Sequence, residues 1–367
     1  MLRINMQNKW TKTWIVLGIL FGQIGLFQLL FSIQSVNDFI VNQITFPLSS
    51  SIAKMTNSVH FPIGELFYLF IGLLGLTLII RIGFTLIKDK KKLHQSIFSG
   101  LVFINLCYGI YMMFWGVMYQ KETLVFDRKE IHIETKILKE IYCKDLEKAI
   151  YYRNQFSQND DKPLQFHSNL EEYNREFFQL QHELEKLEWL KNYQLLKQVH
   201  YKISTISMLQ NYMGILGYYN PFTAEANLND YNTPLKKAST LFHEYGHQMG
   251  FASESEANFL AYYLGSQSNN REINYSVYYK SIYSLLGAIY KSDPYFVQME
   301  MEKMNTSIKR DRKAELNYYT KYDGKASDAF SELNNQFLKA NQQEGTISYS
   351  KYVELIYYLY QTKKRNH

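Results

Sequence analysis

Three apolar runs crowd the first 118 residues, and no other feature limits the fold so tightly. Trp14 to Ile33 reads WIVLGILFGQIGLFQLLFSI and Ile97 to Met118 reads IFSGLVFINLCYGIYMMFWGVM, both without a charge. Between them, Leu66 to Ile80 reads LFYLFIGLLGLTLII and continues past Arg81 to Ile87. A helix rises about 1.5 Å per residue, so about 20 apolar residues cross the hydrocarbon of a bilayer. Buried helices of a soluble core seldom carry uncharged runs of that length. Three transmembrane helices are therefore expected. A cleaved signal peptide is the alternative for the first run, but no Ala-x-Ala-like site follows Ile33, which favours an uncleaved anchor.

Charge supplies an orientation. Arg3, Lys9 and Lys12 precede the first run, and Lys88, Lys90, Lys91 and Lys92 follow the second, whereas residues 34–65 hold only Lys54. Basic flanks stay on the cytoplasmic side. Three crossings then put everything after about Tyr119 outside. The expected domains are a membrane anchor over 1–118 and an extracytoplasmic domain over 119–367, in a multi-pass protein of the cell membrane with the lipid bilayer as its first partner. The formal net charge is only +6, and much of it flanks the apolar runs, so nucleic-acid binding is not expected. Cys107 lies in an apolar run and Cys143 in a charged one, with no Cys-x-x-Cys pair, so neither a disulfide, a thiolate zinc site nor a redox motif is expected. The abundance of Tyr, Asn, Lys and Ile fits an AT-rich bacterial coding sequence.

The rest of the chain is soluble in character. Asp127 to Arg153 is charged and helix-compatible. Leu170, Tyr173, Phe177, Leu180, Leu184 and Leu187 recur at steps of three and four, as one apolar stripe of a helix requires. From His200 to Asp230, β-branched and aromatic residues with Gly214, Gly217 and Pro221 predict short strands and turns. After Thr233 the chain reads as helix to its end. The expected fold is mainly α (α+β), with a small β-sheet.

Residues 240–258 read TLFHEYGHQMGFASESEAN. Within them His243-Glu244-x-x-His247 places two imidazoles at i and i+4, on one helix face, where both reach one metal ion. Neutral imidazole suits Zn²⁺, and a catalytic zinc takes three protein ligands and keeps an open position. Glu244 stands where it can take a proton from a water in that position and return it to a leaving amine. Asn232 or Thr233 can cap the helix, Pro234 suits its first position, and Gly250 suits a left-handed end. A second helix begins near Ser253. Both Glu254 and Glu256 could reach the metal, but Ser253 and Glu256 have capping-box spacing, which gives Glu256 a task at the helix start. Glu254, Asn258 and Ala261 then share one face.

The Glu254, Ala257, Asn258 run after such a helix resembles the gluzincin metallopeptidases. That resemblance implies a zincin-like catalytic domain with one zinc, held by His243, His247 and Glu254, with Glu244 as general acid/base and Asn258 supporting a ligand histidine. The gap from His247 to Glu254 is seven residues, shorter than in many gluzincins. Metzincins turn as tightly at a glycine, but Ser253 stands where their third histidine would be, so the third ligand here must be a carboxylate. Site-2 intramembrane proteases carry a related motif inside a membrane helix, and Lys236 and Lys237 argue against that here. More closely, the chain is similar to a family of uncharacterised bacterial membrane proteins grouped only as a domain of unknown function. The matching pieces are GYYNPFTAEANLN (Gly217 to Asn229), the histidine motif with SESEANFLAYYLG (Ser253 to Gly265), and FLKANQQEGTISYSKYVELI (Phe337 to Ile356).

Zinc peptidases commonly pair extended substrate with an edge strand, and Tyr218, Tyr219 and Asn220 are the expected edge, since Pro221 suits an edge and not a central strand. Tyr349, Tyr352 and His200 are candidate oxyanion stabilisers. Glu225 reads as a surface carboxylate, and His132, His167 and His182 read as surface residues on helices. The function expected is hydrolysis of peptide bonds in extracytoplasmic proteins or envelope peptides. The alternative is a membrane sensor with a zinc-binding extracytoplasmic domain, against which stands the lack of any cytoplasmic output domain. A purely structural zinc site would not need Glu244. No residue pattern specifies the oligomeric state.

Overall fold

A computed structural model gives the fold of residues 2–156 and 163–365. The three apolar runs are helices. The first is α1 (Leu2–Ser32) and the second α4 (Ile63–Lys88). The third runs from α5 (Leu93–Tyr111) through a π-helical turn, Met112–Gly116, into α6 (Val117–Tyr119). The stretches Trp10–Ser32, Ile63–Lys88 and Leu93–Tyr119 are each long and apolar enough to cross a membrane. Phe21, Phe70, Ile79 and Leu106 point outward from them. Such a surface is stable only where the solvent is itself apolar. Between the first two spans the chain forms α2 (Gln34–Ile40), a π-helical turn and α3 (Phe46–Thr56).

Among the described residues, the remainder is mainly helical, with one three-stranded sheet. It begins with α7 (Thr135–Asn154) and α8 (Leu170–Leu180), which tightens into a 3₁₀ segment, Gln181–Lys186. Tyr173, Phe177, Leu184 and Leu187 of the expected stripe are buried, and Leu170 and Leu180 pack against the same core. Next come β1 (Tyr201–Ile203), α9 (Ser207–Tyr212), β2 (Gly217–Asn220) and β3 (Glu225–Leu228). Then α10 (Pro234–Gln248), α11 (Glu254–Ser266) and α12 (Arg271–Tyr290) form the centre of the domain. They are followed by α13 (Pro294–Lys303), α14 (Thr306–Thr320), α15 (Lys325–Ala340) and α16 (Tyr352–Arg365).

The strand order is β1-β3-β2, with β1 parallel and β2 antiparallel to β3. All four residues of β3 are buried, as suits a central strand, while β2 is half-buried at the edge. Pro221 follows β2 directly, in a turn where Asn220 Oδ1 accepts the Phe222 amide at 3.0 Å. Of the three histidines expected on surface helices, all are exposed, but only His182 lies on a helical turn; His132 and His167 are in extended chain.

The domain is tied to the spans by buried charge. Glu225 is 1% exposed, not the surface carboxylate expected. Its oxygens accept the Ile63 and Gly64 amides at 3.1 and 2.6 Å, the unsatisfied N–H groups that open α4. Lys202 of β1 closes the cluster, with Nζ 2.5 Å from Glu225 Oε1 and 2.9 Å from the carbonyls of Thr56 and Phe61. A carboxylate so placed answers both a helix dipole and an ammonium, and sequence spacing contains neither. A second seam joins Phe31, Val41, Phe46, Trp115, Val117 and Met118 to Ala252. Contacts therefore cross the expected 118/119 boundary in both directions, and residues 34–56 pack on the domain.

Candidate metal centre

Thr233 is the extended residue before α10 and Pro234 begins it, though no side chain caps the helix. One turn apart inside it, His243 and His247 have ring centroids 4.6 Å apart and Nε2 atoms 3.1 Å apart. The helix ends at Gly250, whose φ of +99° lies in the left-handed region open to glycine. The Phe251 amide returns to the Gly246 carbonyl at 3.1 Å. A Cβ on Gly250 would stand 2.6 Å from the Phe46 ring, so the turn needs glycine for room as well. Gly246 then lets α11 pass close to α10, against Ala257. The short gap is thus spanned, and Glu254, first residue of α11, faces the imidazoles. Its Oε2 is 3.1 Å from His243 Nε2 and 3.6 Å from His247 Nε2. The side chains of His243, His247 and Glu254 are 10%, 7% and 12% exposed. One ligand atom from each lies within 4.8 Å of the others, a group able to hold a metal ion.

The electrostatics suit a cation. His247 Nδ1 lies 2.7 Å from the Phe251 carbonyl. That carbonyl can only accept, so Nδ1 carries the proton, and in neutral imidazole the Nε2 lone pair turns inward. Burial drives His243 down to about 4. Burial also opposes charge on His247, yet the Glu254 carboxylate carries it up to about 9. Burial opposes charge on Glu254 too, but the two imidazoles hold it well below the usual carboxylate range. Glu244 is pushed up by burial to about 8, and its carboxylate accepts the Tyr219 backbone amide.

A family model described as a protein of unknown function (DUF3810) matches residues 41–357. The chain belongs to the DUF3810 family. The match takes in the second and third apolar helices, the sheet, the candidate metal centre and α16 up to Tyr357. No curated protein and no solved structure matches the chain.

Around the DUF3810 centre, the edge strand presents its main chain to Glu244. A Cβ on Gly217 would meet Glu244 Oε1 at 3.0 Å, and the Tyr219 amide bonds the same carboxylate. The side chains of the expected edge point elsewhere. Tyr218 turns its hydroxyl to Glu65 Oε1 at 3.4 Å, Tyr219 packs on Trp115, and Asn220 holds its own turn. Asn258 Oδ1 accepts a bond from Lys280 Nζ at 2.6 Å.

The capping box does not form. Ser253 precedes α11 in extended conformation, but its hydroxyl bonds Ser255 Oγ at 2.8 Å. Glu256 turns to Thr123, near Arg128 and Lys121. Lys121 is itself buried, with Nζ 2.6 Å from the Gly250 carbonyl, and the Thr123 hydrogen bond with two cations nearby holds the Glu256 carboxylate away from the Ser253 amide. Tyr352 is buried, with its hydroxyl beside Ser281 and Ser284 and its ring centroid 5.9 Å from Lys280 Nζ. The side chain of Tyr349 lies outside the described residues. His200 stacks beside His60 and Tyr201.

Three residues of this DUF3810 site escape a motif reading. Lys280, lowered to about 8 by burial, lies in the field of Glu254 and Glu244. Its signal was available, since it is the only charged residue between Glu272 and Lys291. Trp115 sets its ring edge-on to His247, with centroids 5.7 Å apart, and donates Nε1 to the Tyr119 hydroxyl at 2.9 Å. Tyr119 in turn lies within range of the Glu254 charge. Trp115 belongs to the third apolar run and Tyr119 follows its last residue, where lipid contact was the natural reading.

Proposed function

We propose that this DUF3810 chain is a membrane-anchored, zinc-dependent metallopeptidase that hydrolyses peptide bonds in extracytoplasmic proteins or envelope peptides. The observation that carries the reading is the convergence of His243, His247 and Glu254 beside the Glu244 carboxylate at the free edge of β2. The donor set fits zinc: two neutral imidazole nitrogens and one carboxylate oxygen. Glu254 Oε2 is buried and faces both imidazole Nε2 atoms, at 3.1 and 3.6 Å, as suits an oxygen that shares a cation with them.

When bound, zinc supplies Lewis acidity, which acidifies a water and polarises the scissile carbonyl. The chain's own groups do the rest. Substrate lies extended beside β2 and pairs with its main chain. Glu244 takes a proton at its carboxylate and returns it to the leaving nitrogen. A carboxylate raised by burial is a stronger base than an exposed one, which suits that transfer. The Phe251 carbonyl holds the His247 ring in one tautomer. Lys280, through Asn258 and through its charge, offsets the two carboxylates in a site with little water. The basic clusters around Lys12 and Lys90 support an extracytoplasmic position for this domain.

The test is the full chain in lipid nanodiscs with an unstructured protein substrate. The native chain holds about one zinc and cuts. Glu244→Gln keeps the zinc and loses hydrolysis, while His243→Ala or His247→Ala loses both. Full activity in Glu244→Gln would sink the mechanism, and a zinc-bound chain without hydrolysis would favour the sensor.

A further inference from the structure

The metal centre touches the membrane helices themselves. Trp115, whose ring meets His247, lies four residues from the outer end of the span Leu93–Tyr119. Four residues are about 6 Å of helix. The span has 27 residues, hence about 40 Å against about 30 Å of hydrocarbon, so its last turns belong to the interfacial layer where Trp and Tyr are favoured. The tip of the β2–β3 hairpin confirms the depth. Phe222 packs among Phe67 and Tyr68 of α4 and Phe114 of the third span.

The outer wall of the site repeats the pattern. In α15, Ala326, Phe330, Leu333, Phe337 and Ala340 follow at steps of four and three, with Asp328, Glu332 and Lys339 on the other side. That apolar stripe is not folded into the domain, since Leu333 is 64% and Phe337 43% exposed. Yet α15 is pinned to the third span. Phe337 meets the rings of Tyr111 and Tyr119 at 6.3 and 6.5 Å, and the Tyr111 hydroxyl bonds Asn341 Oδ1 at 2.7 Å. The loop after α15 reaches the ligand helix, where Gln343 Oε1 accepts the Glu254 amide at 3.1 Å. An amphipathic helix held level with the last turns of a span has its apolar face in the headgroup layer, where such faces are stable.

We infer that this site cuts polypeptide chains at the bilayer surface, in the segment that emerges beside a membrane anchor, with the apolar face of α15 lying in the lipid as one wall. The inference rests on the peptidase reading for its chemistry, and its placement stands apart from it. The C–N bond of the substrate breaks, water gives its OH to the acyl carbon, and its remaining proton goes to the amine. A strand laid along β2 lies beside Tyr219 and Trp115, at headgroup depth, so a chain leaving a span arrives there without crossing open water. A soluble polypeptide has to approach against lipid.

The experiment has two arms, both on the full zinc-loaded chain in nanodiscs. In the first, the substrate is a single membrane span carrying an unstructured casein-derived tail of about 60 residues, and the same tail without a span is the control. Mass spectrometry maps the cuts. Cuts clustered within about ten residues of the span, a reach of about 30 Å of extended chain, are expected, with the free tail cut at least tenfold more slowly. Tethering alone raises effective concentration along the whole tail and falls off slowly with length, so cuts spread evenly along it, or a free tail cut as fast, would overturn the inference. In the second arm, a fluorophore is placed at Leu333→Cys or Glu332→Cys after Cys107→Ala and Cys143→Ser. Brominated lipid should quench the first and not the second. Equal quenching by aqueous iodide at both would remove α15 from the lipid. A chain that cuts neither substrate but shows the expected quenching refutes the peptidase reading, and this substrate with it, while leaving the placement of α15 established.

Discussion

Replacing Gly217 by alanine is the sharpest probe of how the sheet serves the site. The added Cβ would stand 2.9 Å from the Asn227 carbonyl oxygen, 2.9 Å from Thr240 Cγ2 and 3.0 Å from Glu244 Oε1. The first of these is main chain of the central strand and cannot yield, so β2 or Glu244 must move. Overpacking of this kind costs about 1–3 kcal/mol, offset by about 0.4–1 kcal/mol from the lower entropy of an unfolded chain with one glycine fewer. For a domain of this size each kcal/mol shifts a melting midpoint by about 2–4 °C, so a drop of several degrees is expected. Displacing Glu244, the proposed general base, by about 0.3–0.5 Å should lower hydrolysis about four- to tenfold, since about 1 Å costs about a hundredfold. Zinc content should not change. Gly287→Ala is the control. Nothing lies within 4 Å of its Cβ on α12, and alanine there should stabilise by about 0.5–1 kcal/mol. Scanning fluorimetry, metal analysis and hydrolysis rates are read on both variants in nanodiscs. Unaltered melting with hydrolysis within twofold of native in Gly217→Ala would refute the claim that β2 presses on Glu244.

Zinc titration separates the neighbouring carboxylates: Glu254→Ala should lose affinity steeply, while Glu256→Ala keeps the metal and loses about 1–3 kcal/mol of stability, because Thr123 loses its hydrogen-bond partner and Arg128 and Lys121 lose a nearby negative charge. Tight zinc in the first with loss in the second would reverse the assignment. Metal affinity should rise about tenfold per pH unit from pH 6 to 8, because His247, raised to about 9, must shed one proton while His243, lowered to about 4, has none to lose. The same shift means that the His247–Glu254 contact stabilises the metal-free protein fully below the ordinary histidine range and is lost as pH climbs through 9; isothermal titration that finds no pH dependence would refute it. Lys202→Met leaves Glu225 buried beside the start of α4 and should cost about 3–5 kcal/mol, with part recovered on adding Glu225→Gln, as chemical denaturation in detergent will show. In intact cells an impermeant thiol reagent should label the exposed native Cys143 but not a cysteine at Lys91, and the opposite pattern would invert the topology.

What the sequence determined by itself is whatever depends on near neighbours in the chain. The three spans were legible because length and hydropathy are local sums. The pair His243 and His247 was legible because an i, i+4 spacing on a helix fixes relative position to within one turn. Gly250 marked its turn for the same reason, as few other residues accept a left-handed φ. Glu254 could be set against Glu256 only by weighing cap against ligand, and the cap invoked for that choice did not form. Its failure shows where tertiary structure takes over. Glu256 turns to Thr123, which is 133 positions away, with Arg128 and Lys121 nearby. Glu225 answers the first amides of α4, and Lys280 reaches the site from a helix that its motif does not include. Trp115 sets the third apolar helix against His247, and α15 packs on the same helix through Phe337 and Asn341. Each of these contacts joins groups far apart in the chain, and their energy comes from burial and charge at short range, which a sequence records only as scattered residues until the fold brings them together.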